Sequence, residues 1–234
     1  TDNAGNTATC TQDVTVTDNE NPSIVCPANV SQGADAGESF ATVTIAAPVT
    51  ADNCGVASVV NDFNGTADAS GQYPLGSTTV TWTVTDVNGN SVTCVQIVNI
   101  SDDQAPTITC PANQTEDLSA SCDFTLADYT VLASATDNSD PVLTIVQTPA
   151  AGTIITTNTI ITLSVTDSAG NTTTCTFEVI LQDTTNPTIT CAADVNATTD
   201  AGSCFATVVL TAPATADNCG VASVSNNAPA TFPI

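Results

Sequence analysis

The chain has 234 residues and a formal net charge of −24, because it contains 24 acidic residues and no Lys, Arg or His. This composition excludes an electrostatic grip on nucleic acid or on an anionic membrane surface, since both need positive charge on the protein. Ten cysteines favour disulfide bonds in an oxidising, extracellular compartment. Direct membrane insertion is not expected, because no apolar run reaches the ~20 residues of a spanning helix.

A long repeat organises the sequence. The string Thr-Asp-x-x-Gly-Asn occurs at residues 1–6, 85–90 and 166–171, and each copy is followed by two Cys that lie 16 residues apart. The Asp residues of successive copies lie 84 and 81 residues apart, which is the length of a domain. We therefore divide the chain into the C-terminal strand of a preceding repeat at 1–17, complete repeats at 18–101 and 102–182, and an incomplete repeat at 183–234. We expect the chain to be a segment of a longer array.

In chain order, the sequence predicts a turn at residues 2–6 and a strand at 7–17. In the first complete repeat, residues 21–27 predict an edge strand bounded by Pro, and 40–45 and 56–60 predict two further strands. Residues 71–76 are turn-rich. The clearest strand signal follows, where Val80, Trp82 and Val84 alternate with Thr. Residues 86–90 predict a hairpin turn that leads into a last strand at 91–100.

The second repeat keeps this frame, with Ile161, Leu163 and Val165 in the positions of Val80, Trp82 and Val84. The incomplete repeat lacks the last strands, so its core is expected to be open. Short strands separated by regular turn signals are typical of a two-sheet sandwich. The predicted fold is therefore all-β, with tandem immunoglobulin-like β-sandwich repeats arranged end to end as a rod.

The motifs of the first repeat resemble the hyalin repeat (HYR) family. They are the opening Pro22 to Pro27, the middle Tyr73 to Gly76 with Thr78 to Trp82, and the closing Thr85 to Cys94. The resemblance implies extracellular immunoglobulin-like modules. The Asp-Asn-Cys-Gly loops at 52–55 and 217–220, with the lack of basic residues, are similar to SprB-type giant surface adhesins of gliding bacteria. That similarity implies a filament at the cell surface, exported by a dedicated secretion system.

The cysteines suggest two kinds of bridge. In a sandwich of this type the first and last strands run parallel and adjacent, so the opening and closing Cys of one repeat lie level. This predicts Cys26–Cys94 and Cys110–Cys175. Each complete repeat holds an odd number of Cys, and opposite poles of consecutive repeats meet at a junction. We therefore predict an inter-repeat bridge, Cys122–Cys219.

Other connectivities remain open, because sequence alone does not decide them. Consecutive repeats could instead be joined by Cys94–Cys110 and Cys175–Cys191, or the odd thiols could be buried. Under the first scheme, the partners of four further cysteines lie in flanking repeats: Cys10, Cys54, Cys191 and Cys204.

Oxygen-bearing side chains gather at the repeat junctions and are expected to share a pole of each domain. The candidate ligands are Asp18, Asp52, Asp86, Asn88, Asn90, Asp102, Asp137 and Asp167. Hard oxygen donors in such numbers suit calcium better than a transition metal. The alternative is that each Asp and Asn caps its own turn, since none of these loops has EF-hand spacing.

An enzyme is not expected, because no His or Lys could serve as a base for a Ser or Cys nucleophile. We expect the structural shaft of a secreted, disulfide-crosslinked adhesin filament, for attachment and, by the resemblance, gliding motility. Its expected partners are neighbouring repeats of the same chain and an extracellular surface or polysaccharide. The alternative is a repeat that itself binds calcium and a surface glycan or protein ligand. We favour the shaft, because Trp82 and Phe40 are expected in the core and leave few aromatics for sugars.

Overall fold

The computed structural model describes residues 1–233 and is all-β apart from one short 3-10 helix at Thr130–Leu132. Within these residues, no helix is long and apolar enough to cross a membrane. The strands of the first repeat are β1 (Ser23–Val25), β2 (Val30–Gly33), β3 (Phe40–Val43), β4 (Val49–Ala51), β5 (Val56–Asn61), β6 (Gly71–Pro74), β7 (Gly76–Asp86) and β8 (Ser91–Ser101).

The strands of the second repeat are β9 (Thr107–Thr109), β10 (Gln114–Asp117), β11 (Phe124–Thr125), β12 (Ser134–Thr136), β13 (Thr144–Thr148), β14 (Ile154–Ile155), β15 (Thr159–Thr166) and β16 (Thr172–Gln182). Four short strands follow: β17 (Thr188–Thr190), β18 (Phe205–Ala206), β19 (Ala214–Ala216) and β20 (Phe232–Pro233). Contacts divide the chain into two compact units. The first comprises residues 1–105, 137–141 and 167–171, and the second comprises 106–136, 142–166 and the residues from 172 onward.

The first unit contains a two-sheet sandwich. One sheet has the order β2-β8-β7-β5, with β2 parallel to β8 and the other pairs antiparallel. The facing sheet pairs β3 with β6, and β1 pairs separately with β4. Side chains from both sheets fill the core between them: Ala41, Val43, Tyr73, Val80, Trp82, Val98 and Ile100.

Strand β7 confirms the predicted alternation. Val80, Trp82 and Val84 are fully buried, whereas the Thr residues between them reach solvent. The indole Nε1 of Trp82 donates to Gln96 Oε1 at 3.1 Å, and Gln96 Nε2 donates to the carbonyl oxygen of Ala28 at 2.7 Å. These bonds satisfy the buried polar atoms, so that Gln96 is tolerated at 1% exposure in the core.

Two predictions about the middle of this repeat are wrong. Residues 71–76 are not simply a turn, because β6 pairs with β3 and buries Tyr73, whose hydroxyl donates to Ala69 O at 2.7 Å. Phe40 is half-buried and not a core residue, because Ala41 and Val43 take the inward positions of β3. Phe63 covers Tyr73 instead, with ring centroids 4.2 Å apart.

The opening strand also differs from its prediction. Residues 23–25 form β1, which pairs antiparallel with β4, and the strand parallel to β8 is β2. Pro27 lies between β1 and β2, and it has no N–H with which to continue a ladder. Residues 7–17, predicted as a strand, form none, because no described strand lies beside them to pair with.

The second unit repeats the sandwich pattern. Its larger sheet has the order β10-β16-β15-β13, and β11 pairs with β14. Ile161, Leu163 and Val165 are buried at the positions predicted for them. Leu163 lies opposite Cys175 as Trp82 lies opposite Cys94, so Phe177 holds the position of Gln96. The buried Trp–Gln pair of one repeat is therefore a Leu–Phe pair in the other.

Residues 183–233 have a sparse core. Their strands form two isolated pairs, β17 with β19 and β18 with β20, and Ala206 is buried. A cavity of about 710 Å³ lies among them, lined by apolar side chains that include Ile189, Val208, Leu210 and Phe232. The apolar side chains around this cavity are therefore only partly packed against one another.

The Trp82–Gln96 pair can be tested against its Leu–Phe counterpart. Trp82→Leu removes packing volume and leaves Gln96 Oε1 without a donor, so we expect the free energy of unfolding to fall by about 2–4 kcal/mol. Adding Gln96→Phe refills the space, and the double variant is expected to lose less than the two single variants combined. Urea unfolding followed by circular dichroism measures all four chains, and simple additivity would contradict a coupled pair.

Both tyrosines of the chain are buried, and this predicts a delayed alkaline titration. Burial, with the hydrogen bond to Glu116, raises the pKa of Tyr129 from 10.0 to about 12, and burial also raises the pKa of Tyr73. A raised phenol pKa contributes stability below pH 10 that is lost as the pH rises towards 12. Tyrosinate absorbance should therefore appear together with the loss of circular dichroism.

Tyr129→Phe provides the control, because it leaves Tyr73 as the reporter. A folded wild-type chain in which one tyrosine ionises near pH 10 would contradict the burial described for that residue.

Candidate functional site

The hairpin turn between β7 and β8 is built around the carboxylate of Asp86. Its Oδ1 accepts the N–H groups of Asn88 and Asn90, both at 2.8 Å, and its Oδ2 accepts Asn90 Nδ2 at 2.7 Å. Gly89 takes a positive φ of 96°, which lets the chain reverse. Burial raises the pKa of Asp86, but the hydrogen bonds from Asn90, Asn88 and Gly89 outweigh it and hold the pKa below its ordinary value.

The Asp-Asn-Cys-Gly loop between β4 and β5 places a second carboxylate beside the turn. Oδ2 of Asp52 accepts the N–H groups of Cys54 and Gly55, both at 2.8 Å. Its other oxygen, Oδ1, is buried and has no hydrogen-bond partner. The loop therefore uses one oxygen of Asp52 for its own closure and leaves the second free.

The third carboxylate belongs to the segment that precedes β1. Oδ1 of Asp18 accepts the N–H of Glu20 at 3.0 Å, and Oδ2 accepts Asn88 Nδ2 at 2.9 Å. Asn90 Nδ2 also donates to the carbonyl oxygen of Asp18 at 3.2 Å. The backbone hydrogen bond from Glu20, followed by the side-chain hydrogen bond from Asn88, lowers the pKa of Asp18. The two Asn side chains thus fasten the linker to the turn.

Turn, loop and linker bring one oxygen each of Asp18, Asp52 and Asp86 within 4.8 Å of one another. We call this cluster the first triad. Asp86 is only 2% exposed, and the chain has no basic side chain to place beside it. Three carboxylates at this spacing repel one another strongly.

A second triad, Asp102, Asp137 and Asp167, has the same design and the same 4.8 Å limit. Asp167 is 7% exposed, and its two oxygens accept the N–H and the Nδ2 of Asn171 at 2.7 and 2.8 Å. Asp137 Oδ1 accepts the N–H groups of Ser139 and Asp140, at 2.9 and 3.0 Å. Its Oδ2 is buried and unpartnered, as Asp52 Oδ1 is.

Ser139 and Cys54 occupy the same place in their loops. The hydroxyl oxygen of Ser139 lies 2.5 Å from Asp102 Oδ2, and the thiol of Cys54 makes a hydrogen bond to Asp18 that raises its own pKa. An exposed thiol that is kept protonated is a poor nucleophile. The two triads therefore have sulfur or oxygen at this neighbouring position and the same three carboxylates.

The eight residues proposed as ligands therefore separate into two triads and two supporting amides. Asn88 and Asn90 direct their Nδ2 groups at Asp18 and Asp86, so they act in the structure as hydrogen-bond donors. The alternative expectation, that each Asp caps its own turn, holds for the oxygens that accept backbone N–H groups of the same turn or loop. In Asp52 one oxygen closes the loop, and the other has no hydrogen-bond partner.

The sequence did not predict that the Asn after a loop Asp donates a hydrogen bond to another segment of the chain. Asn138 Nδ2 donates to Glu38 O at 2.8 Å, and Asn218 Nδ2 donates to Ser119 O at 3.0 Å. The recurring Asp-Asn dipeptide at 52–53, 137–138 and 217–218 is the signal that could have identified it.

The structure joins three pairs of cysteines. Cys26–Cys94 and Cys110–Cys175 have Cα atoms 5.9 and 5.8 Å apart and each links the start of a repeat to its last long strand. Cys122–Cys219 spans 97 residues, with Cα atoms 4.9 Å apart. The other cysteines are unpaired and exposed: Cys10, Cys54, Cys191 and Cys204.

The sandwich core, the disulfide to the last long strand and the acidic triads define a disulfide-linked, all-β repeat protein. The family model of the HYR domain matches residues 17–100 and 101–181, and the chain belongs to the HYR family.

The matched relatives are much longer proteins. Hyalin of Lytechinus variegatus is 28% identical over 228 residues, which cover 92% of this chain and 42% of that protein. Hyalin of Strongylocentrotus purpuratus is 26% identical over 234 residues, which cover 97% of this chain and 19% of that protein. The chain therefore spans less than half the length of either relative. Among solved structures, extracellular cadherin domains 1–4 of Drosophila N-cadherin match with a TM-score of 0.38 and 11% identity over 70% of this chain and 50% of theirs.

The supporting amides of the first triad lead to a prediction about stability. Asn90→Ala removes donors to Asp86 Oδ2 and to Asp18 O, both partly buried, so we expect a loss of about 1–3 kcal/mol. Asn88→Ala removes one exposed bond, to Asp18 Oδ2, and should cost about 1 kcal/mol or less. Urea unfolding in the presence of a chelator measures both, and an equal loss in the two variants would contradict the ranking.

Proposed function

We propose that the chain is part of the structural shaft of a secreted, disulfide-crosslinked adhesin filament at the cell surface. The observation that carries this proposal is Cys122–Cys219, which ties a loop in the second HYR match to a loop beyond it, 97 residues along the chain. A bond of this kind limits how far successive parts of a chain can separate under load. It adds roughly 2–4 kcal/mol of stability by restricting the unfolded chain.

The composition supports a load-bearing extracellular part. Disulfides persist in oxidising compartments, and the absence of Lys and Arg removes every site for trypsin-like proteases. The absence of His and Lys also leaves a Ser or Cys nucleophile without a base, which favours a part with no catalytic role. The similarity of the Asp-Asn-Cys-Gly loops to SprB-type adhesins supports attachment, and gliding motility, as the setting of the filament.

The second candidate is a module whose repeats bind calcium together with a surface glycan or protein ligand. Sugar binding sites use exposed aromatic rings, whereas Trp82 and Tyr73 are fully buried here and Phe177 is 4% exposed. Phe205, at 42% exposure, is the one aromatic side chain in residues 1–233 that is classed as exposed. The shaft is therefore favoured, and saturable binding of the whole chain on a glycan array would favour the binding module.

Mechanical pulling of the chain by its two ends tests the shaft. With Cys26–Cys94 and Cys122–Cys219 intact, the residues between the bridged cysteines do not extend when the chain is pulled. These bridges span 68 and 97 residues. At about 3.3–3.6 Å per residue, reduction should lengthen the fully extended chain by about 550 Å. Single-molecule force spectroscopy, with and without a reductant, measures this difference.

The matched control is the variant Cys122→Ser with Cys219→Ser. It retains Cys26–Cys94 and Cys110–Cys175, which withhold 68 and 65 residues, so the gain on reduction should fall to about 450 Å. A gain of only about 110 Å in the wild-type chain would indicate the short bridges Cys94–Cys110 and Cys175–Cys191 and would remove the basis of the proposal.

A further inference from the structure

We infer that each triad is a binding site for one hard divalent cation, of the calcium class. This inference is independent of the proposed shaft, because it rests on the carboxylates and not on the disulfides. The first observation is charge: three carboxylates lie within 4.8 Å of one another in each triad, and the whole chain has no basic side chain to offset them. Buried charges in proteins are paired or coordinate a metal.

The second observation is a buried oxygen without a partner in each triad. Asp52 Oδ1 and Asp137 Oδ2 are shielded from solvent and accept no hydrogen bond, although buried polar atoms are almost always satisfied. In both residues the other oxygen is already held by two backbone N–H groups of its own loop. The loop therefore orients the carboxylate, and one oxygen of each residue lies within 4.8 Å of an oxygen of each of the other two acids. The same arrangement occurs at both triads, which argues against a chance rotamer.

The donor chemistry selects the class of cation. The second triad offers carboxylate oxygens and the hydroxyl of Ser139, with no sulfur or imidazole. In the first triad the corresponding residue is Cys54. Because Ser and Cys exchange at this place, sulfur is not a needed ligand, and zinc or copper is disfavoured. Calcium accepts 6–8 oxygen ligands at flexible geometry, so bidentate carboxylates, carbonyl groups and water can complete its shell.

The cation would join three segments that are distant in sequence. In the first triad these are the linker residue Asp18, the loop residue Asp52 and the turn residue Asp86, and in the second they are Asp102, Asp137 and Asp167. Without a cation, the linker is held by hydrogen bonds such as that from Asn88 Nδ2 to Asp18 Oδ2. Binding should therefore stabilise the fold and reduce the motion of the linker.

The test is calcium binding by the whole, chelator-treated chain at physiological ionic strength, where the diffuse attraction of a −24 protein is screened. Isothermal titration calorimetry should show two saturable sites, with dissociation constants on the order of 0.1–1 mM as in other extracellular modules. Asp52→Asn and Asp137→Asn should each remove one site, and the double variant should remove both. Asp13→Asn, which changes an exposed acid outside the triads by the same charge, should keep both sites.

Thermal unfolding keeps the test informative if binding is too weak for calorimetry. Calcium should raise the melting temperature of the wild-type chain and leave the double variant unchanged. In chelator the double variant should melt no lower than the wild-type chain, because Asn keeps an acceptor oxygen and removes the repulsion. Should the double variant fail to fold, Asp18→Asn with Asp102→Asn takes its place. Calcium effects of the same size in the wild-type chain and the folded variant would overturn the proposal.

Discussion

Every carboxylate of this chain must find hydrogen-bond donors or a counter-ion without help from a basic side chain. Asp86 meets this constraint by folding its own turn around itself, with three donors from Asn88 and Asn90. Asp52 and Asp137 meet it with one oxygen only. The two triads are shaped by this requirement, because turn, loop and linker each supply donors that hold a carboxylate in place.

Covalent bonds and apolar packing act where the acids do not. Trp82, Tyr73 and their neighbours fill a small core, and Cys26–Cys94 fixes the start of the repeat to its last long strand. A domain of this size buries a limited area, so crosslinks contribute much of its margin of stability. The disulfide Cys26–Cys94 ends on β8, and the first triad includes Asp86 of the turn that leads into β8. The β7–β8 hairpin therefore carries both the disulfide and part of the acidic cluster.

Local sequence patterns predicted the features that depend on one face of a strand being exposed to solvent and the other face being buried. The faces of β7 followed from the alternation of Val80, Trp82 and Val84, whereas β6 was hidden because its Gly and Pro suggest a turn and only pairing with β3 extends it. The acids of the triads could be named from the repeat period. Which oxygen of Asp52 is committed to the loop depends on side-chain orientation, which periodicity does not contain. The structure brings together the same six cysteines that were paired from the sequence, although Cys122 and Cys219 meet only because distant loops do.

The different core pairs of the two repeats have a consequence for how the chain folds. Neighbouring domains of similar sequence are prone to exchange strands during folding, and the exchanged forms aggregate. A strand that carries Phe177 would place a ring against Trp82, and a strand that carries Gln96 would bury an amide against Leu163 without its indole partner. Either exchange costs packing or a hydrogen bond. The divergent cores thus direct each strand to its own repeat in an otherwise repetitive chain.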